Sequence, residues 1–231
     1  MIGEALVVAA IAVMSAVMSA LLVRPVLRWL PEPADSGGKP AYRDLGSARF
    51  LICCGVLAGL AAAIGWLSLP HYAQPMWSVL AVLGVLLAAI DARTSWLPLR
   101  LTRMAWLAMA VAGLISALLG GVLVLGRAAA GAAIAGALYL FVWLISRAGF
   151  GFGDVRFAPL LGAATAANSW TLLWLTLLLG TVVGGFVGLL RLARGRREAF
   201  PYAPSMLAGA YAACLVTVFT RLGGLLEVGL T

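Results

Sequence analysis

Gly149-Phe150-Gly151-Phe152-Gly153-Asp154-Val155-Arg156 sets a carboxylate beside a run of alternating glycines, between segments apolar enough to lie in a bilayer. Placing an ionised carboxylate in hydrocarbon is costly, so an acid at that depth is by default a candidate functional residue. One other acid has a comparable setting: Asp91, which closes Leu86-Leu87-Ala88-Ala89-Ile90-Asp91. The remaining acids, Glu4, Glu32, Asp35, Asp44, Glu198 and Glu227, belong to chain ends or polar loops. The question that organises the reading is whether Asp91 and Asp154 meet.

Around this stretch the chain is too apolar for a soluble domain. Of its 231 residues 64% are hydrophobic and 10% charged, a balance that belongs to a polytopic membrane protein. Apolar runs near Ile2–Val23, Phe50–Leu69, Met76–Ile90, Leu101–Leu119, Ala128–Ile145, Val155–Ala166, Trp170–Leu192 and Pro204–Leu222 predict about eight helical segments in an all-α transmembrane bundle. A span needs about 20 residues, and the sixth run falls short of it. That run begins at the glycine motif, which suits a half-depth helix enclosed by its neighbours. Gly55 and Gly59 in the second run, and Gly180, Gly184 and Gly188 in the seventh, have the i, i+4 spacing that lets helix backbones approach closely. With no repeat evident, residues 1–231 read as one membrane domain.

The formal charge of +8 is topological. Arg24, Arg28, Lys39, Arg43 and Arg49 follow the first run; Arg93, Arg100 and Arg103 the third; Arg147 and Arg156 bracket the glycine motif; Arg191, Arg194, Arg196 and Arg197 follow the seventh. Arg127 and Arg221 fall on the other side. The positive-inside rule then places both termini outside and the basic loops, with Asp91 and Asp154, at the cytoplasmic face of the inner membrane. The partner implied is a bilayer and not nucleic acid, and no oligomeric state follows. The first run has an acidic start and a basic end, the reverse of a cleavable signal, so it is kept as a span. Between Arg24 and Arg49, Pro31, Pro33, Gly37, Gly38 and Pro40 predict a mobile link. Cys53, Cys54 and Cys214 offer neither a disulfide framework nor zinc spacing and read as small buried hydrophobes, while His71 stands alone in a loop. No metal and no cofactor are expected, and hydrolytic chemistry falls to carboxylates.

Each aspartate has a bland explanation. Asp154 would serve as a helix cap after Gly153. Asp91 would snorkel to the headgroups and pair with Arg93 or Arg103. In a shared site the two would not both ionise easily, so one proton would be held between them. The carboxyl end of a helix repels negative charge, which assigns that proton to Asp91 more often and makes Asp154 the resting base. Gly151 and Gly153, without a Cβ, allow another backbone to come close. Three readings stay open on these residues: an aspartyl protease, a proton- or cation-coupled transporter, and an inactive assembly scaffold.

Three separated stretches resemble the type IV prepilin peptidases and preflagellin peptidases, membrane aspartyl proteases with a Gly-x-Gly-Asp motif. They are Ile90-Asp91-Ala92-Arg93-Thr94-Ser95-Trp96-Leu97-Pro98-Leu99-Arg100-Leu101-Thr102; Gly151-Phe152-Gly153-Asp154-Val155-Arg156-Phe157; and Phe200-Pro201-Tyr202-Ala203-Pro204-Ser205-Met206-Leu207-Ala208-Gly209. The resemblance implies Asp91 and Asp154 as the catalytic pair, supported by Pro98, Gly151, Gly153, Arg156, Pro201 and Pro204. It also implies removal of a short basic leader from a prepilin, at the cytoplasmic face, before the pilin's hydrophobic helix. Leu99 stands where the family often has an acid, and Ala203 where it has glycine. Large members carry a cysteine-rich insert after the first span, associated with N-methylation. The link Arg24–Arg49 contains no cysteine, so zinc and methyltransferase activity are not carried over. The chain looks like the small members that serve Flp/Tad-type pili.

Overall fold

Peptide groups in hydrocarbon have no water to bond, and a helix is the one structure that satisfies them within a single segment. The computed structural model describes residues 2–32, 40–146, 151–195 and 201–228, without the side chains of 2 and 221–228. Its helices are α1 (Ile2–Trp29), α2 (Ala48–Ser68), α3 (Gln74–Thr94), α4 (Leu99–Gly120), α5 (Val122–Ser146), α6 (Phe152–Asn168), α7 (Trp170–Ala193) and α8 (Ala203–Val228). All except α6 are long and apolar enough to cross a membrane. The chain is thus a multi-pass helical bundle with a short sixth segment, as its apolar runs predict.

Several helices extend beyond those runs. Arg24 and Arg28 lie within α1, Arg93 in the last turn of α3 and Arg191 in the last turn of α7. Cations at the carboxyl end of a helix face its negative pole and are stabilised there, which lets the helices continue through residues that read as loop. Arg127 likewise lies inside α5. The end of the link after α1 has a structure that its prolines and glycines do not predict. Tyr42–Leu45 forms a 3-10 turn with Tyr42 and Leu45 buried, and Glu32 accepts hydrogen bonds from the N–H groups of Tyr42 (2.9 Å) and Arg43 (3.2 Å). Pro33, Asp35, Gly37, Gly38, Lys39, Arg147, Gly149, Phe150, Arg196, Arg197, Glu198 and Phe200 lie outside the described residues. Cys54 and Cys214 are buried as expected, whereas Cys53 is exposed.

Small residues set the helix contacts. A Cβ on Gly59 would stand 3.0 Å from the carbonyl oxygen of Ala12, and one on Gly55 3.1 Å from that of Ala16, so α1 and α2 pack backbone to backbone. In α7, Gly180 meets the Cα of Met206 and Gly184 the ring of Tyr202, while Gly188 faces open space and has no packing role. The tightest crossing was not evident from glycine spacing. Gly131 of α5 and Gly162 of α6 lie so close that a Cβ on either would overlap the other's carbonyl. α3 contains a π-helical turn, Leu80–Gly84, and below it buried Trp77 donates its Nε1–H to the carbonyl of Ala164 at 3.1 Å, tying α3 to α6. Ser169 alone joins α6 to α7 and caps the latter through the N–H of Leu172.

Candidate active site

Asp91 occupies the last turn of α3. The helix ends at Ser95, whose φ of 54° is left-handed, a conformation uncommon for a residue with a Cβ. The Ser95 N–H donates to the Asp91 carbonyl, and the Thr94 hydroxyl donates to the Ile90 carbonyl while accepting from the Trp96 N–H. These bonds fold Trp96-Leu97-Pro98 across the end of α3. Pro98 then starts α4, and its carbonyl accepts from both the N–H and the hydroxyl of Thr102 at 3.0 Å.

Asp154 sits in the first turn of α6, two residues inside the helix and not at its cap, which is Gly151. Its side chain turns back over Gly151, where a Cβ would stand 3.3 Å from Oδ2. Gly153 faces Leu97, with a would-be Cβ only 2.9 Å from the Leu97 Cβ, so glycine is needed there for the α6 terminus to reach the loop after α3. The glycine motif therefore has a packing reason as well as a chemical one.

The two carboxylates come together at one end of the bundle. Both are buried, Asp91 to 3% and Asp154 to 5% residual exposure. The backbone N–H of Ala203, the first residue of α8, donates to Asp91 Oδ2 at 3.1 Å and also bears on Asp154. Both line a cavity of about 210 Å³ with Ser95, Trp96, Leu97, Gly151, Phe152, Gly153 and Arg156. Asp91 is thus not a snorkelling surface acid. Burial first, and then the charge of Asp91, pushes the Asp154 carboxyl above the ordinary carboxylate range, against the opposing pull of the Ala203 and Gly151 N–H groups. Asp154 Oδ1 has no hydrogen-bond partner among the described residues. The negative pole of α3 is answered by the positive pole of α8, a long-range pairing that α3 by itself does not reveal.

Of the six supporting residues, Gly151, Gly153 and Arg156 line the cavity. The Arg156 guanidinium stacks 4.6 Å from the Phe152 ring, and its carbonyl accepts from Trp106 Nε1 at 2.9 Å. Pro98, Pro201 and Pro204 do not line it; they shape the starts of α4 and α8. Two tyrosines near the pair were missed. Tyr42 faces Asp91, and burial first, then Glu32 and Asp91, raise its phenol to about 12, so it stays protonated. Tyr139 of α5 lies beside Asp154 in hydrogen-bonding contact with Tyr202 and Thr181. Neither carries a local sequence signal, because each arrives from a distant element. A second cavity of about 420 Å³, with Tyr42, Pro31, Arg100 and Arg103 in its wall, adjoins the first at Trp96 and Leu97. His71 is at the other end of α3, about 25 Å away at 1.5 Å per residue.

Fold and site together define a multi-pass helical membrane protein with a buried pair of aspartates at one end of the bundle. The type IV leader peptidase family matches residues 78–189, a segment that contains both aspartates. That match places the chain in the type IV leader peptidase family. It is similar to the prepilin leader peptidase/N-methyltransferase of Burkholderia pseudomallei strains 1026b and K96243, 37% identical over 172 residues, 68% of this chain and 52% of theirs. The Aeromonas hydrophila protein of the same name is 35% identical over 157 residues, 61% of this chain and 51% of its own. The chain spans about half the length of these curated relatives. No solved structure matches it.

Proposed function

We propose that the chain is an aspartyl endopeptidase that removes the short basic leader of type IV, Flp/Tad-like prepilins at the cytoplasmic face of the inner membrane. The observation that carries this reading is the convergence of Asp91 and Asp154 on one backbone N–H beside a small polar cavity. A pair of buried carboxylates sharing one proton is the arrangement of aspartic proteases. The ionised member takes a proton from a water held between them, and the resulting hydroxide attacks the scissile carbonyl carbon. The protonated member gives its proton to the carbonyl oxygen, forming a neutral gem-diol. Collapse breaks the C–N bond, with one carboxyl delivering a proton to the leaving amine and the other recovering one from the diol. Gly151 and Gly153 let the Asp154 carboxyl and the loop carrying Leu97 close in at the cavity wall, which fixes Asp154 beside Asp91.

A proton-coupled transporter uses buried acids too, but its site is expected near the bilayer midplane. Here the acids lie in the last turn of α3 and the first turn of α6. The N-methyltransferase part of the relatives' name is not carried over to this chain. The test is cleavage of a purified prepilin in detergent, with the new N-terminus mapped. Asp91→Asn and Asp154→Asn should each lower the rate by at least about 100-fold, the usual worth of a positioned acid or base, with the bundle still folded. Full activity in either variant, or proton-coupled uptake lost with no cleavage in the wild type, would sink the reading.

A further inference from the structure

The third motif reaches the aspartates without offering a catalytic side chain. Ala203 is fully buried and carries a methyl group, and it stands at the first position of α8. The first N–H groups of a helix have no intrahelical acceptor and form its positive pole. In α8 they are sorted by sequence. Pro204 has none, and those of Ser205 and Met206 turn back to the Tyr202 carbonyl at 3.0 and 3.1 Å. The Ala203 N–H is left to face the carboxylates, 3.1 Å from Asp91 Oδ2, while Asp154 Oδ1 receives no bond from any described residue.

We propose that the Ala203 N–H is a positioning group that keeps Asp91 as the ionised member of the pair and leaves the shared proton on Asp154. The inference rests on the two aspartates acting as one proton-sharing site, and it turns the mechanism into an ordered one. Asp91 takes the proton from water, and Asp154 gives its own to the scissile carbonyl oxygen. It also gives the third motif a task that accounts for its two prolines: Pro201 sets the approach of the chain, and Pro204 removes a competing donor. Other charged or titratable groups around the pair are Tyr42 from the 3-10 turn, facing Asp91, Tyr139 from α5, beside Asp154, Tyr202, in contact with Tyr139, and Arg156 of α6, at the cavity wall. The two tyrosines nearest the pair stand one beside each aspartate; the Ala203 N–H lies within hydrogen-bonding distance of Asp91 Oδ2 and bears on Asp154 as well, where the Gly151 N–H also pulls.

The test uses the full chain in detergent and does not depend on turnover. Aspartate carboxyl ¹³C resonances are titrated and assigned with Asp91→Asn and Asp154→Asn. The titration at lower pH should belong to Asp91. Replacing Ala203 by lactic acid, which turns the 202–203 amide into an ester and deletes the N–H without adding bulk, should raise the Asp91 titration by about one pH unit, a tenfold change in proton affinity. The sign follows because losing a donor to the ionised form favours the protonated one. The acid limb of the cleavage profile should move upward by the same amount. Ala203→Pro, suited to a first helical position, should act in the same direction. A lower titration that belongs to Asp154, or an Asp91 titration unmoved by the ester, overturns the inference, and the first of these is read in the unmodified protein even where a variant fails to fold. The expected titrations without any prepilin cleavage uphold the inference and remove the peptidase reading instead.

Discussion

α1 and α6 use their lengths in opposite ways. Over its first two thirds α1 turns large side chains outward, with Leu6, Val13, Met14 and Leu21 each more than half exposed. Along its middle it buries only small Ser15 and Ser19, and its large buried side chains, Val23, Val26 and Leu27, come near its end. α6 has 17 residues and buries twelve of them, among them Gly162, Ala163, Ala164, Ala166 and Ala167. In lipid there is no hydrophobic force to draw apolar side chains inward, so helices associate where small residues let backbones approach. Length and hydropathy mark which helix can span; the density of small residues marks which one is central. The helix too short to span carries Asp154, and the longest helix lies at the periphery.

The largest effect should come from filling the contact that makes α6 central. Gly162→Ala puts a methyl group onto the Gly131 carbonyl and 2.6 Å from the Ala135 Cβ. Backbone is met on one side, so neither helix can yield by a rotamer change. A loss of about 2–3 kcal/mol is expected, at the upper end for overpacking, read as a fall in the thermal midpoint in detergent. An unchanged midpoint would mean that α5 and α6 slide freely and that α6 is not the axis of the bundle.

Gly153→Ala probes placement at the same helix's start. Its Cβ would meet the Leu97 Cβ at 2.9 Å, an atom that no rotamer change moves, so the loop carrying Leu97 or the start of α6 has to give. The clash should be relieved by a small displacement of the α6 terminus, which carries Asp154. Misplacement of a reacting group by about an ångström costs up to about 100-fold in rate. Prepilin cleavage should therefore fall about 10- to 100-fold while the melting point barely changes. A parallel loss of both would show that Gly153 serves the fold only.

The same substitution at the periphery should matter less. Gly59→Ala meets the Ala12 carbonyl oxygen at 3.0 Å and the Ala16 Cβ at 3.2 Å. α1 is free to give by a few tenths of an ångström because most of its outer face touches no other helix. A gain in helix propensity of roughly 1 kcal/mol for Gly→Ala offsets part of the strain, leaving a net cost below about 1 kcal/mol. A cost equal to that of Gly162→Ala would erase the distinction between the two helices.

Sequence reading went furthest where the physics is local. The apolar runs located all eight helices, including the short one, because a bilayer forces each run to close its own hydrogen bonds. Asp91 and Asp154 stood out because acids beside such runs are rare. The Ser95 conformation, the π-helical turn in α3 and the Gly131–Gly162 crossing have no comparable signature; each depends on what an element packs against. The same holds for the Ala203 N–H that α8 brings to Asp91. The turn at Tyr42–Leu45 was not read, because proline and glycine were weighed and the acceptor Glu32, placed to bond Tyr42 and Arg43, was not.

Glu32 supplies the smallest and most selective prediction, since it joins the end of peripheral α1 to the neighbourhood of the pair. Burial acts to raise its carboxyl, but the N–H groups of Tyr42 and Arg43 and the Arg43 guanidinium, 3.4 Å away, together bring it below its ordinary value of 4.5. A depressed carboxylate stabilises the fold above its unfolded value and ceases to do so as pH falls through the folded one. The contribution is present at neutral pH and disappears below about pH 4.5, and a partly exposed pair of this kind is worth only a few tenths of a kcal/mol. Amide ¹⁵N shifts of Tyr42 and Arg43 should titrate together with a midpoint below 4.5, and Glu32→Gln should abolish the titration. If instead they titrate at or above 4.5, or persist in the Gln variant, another group holds Tyr42 against Asp91, and α1 is as detached from the site at its end as it is along its length.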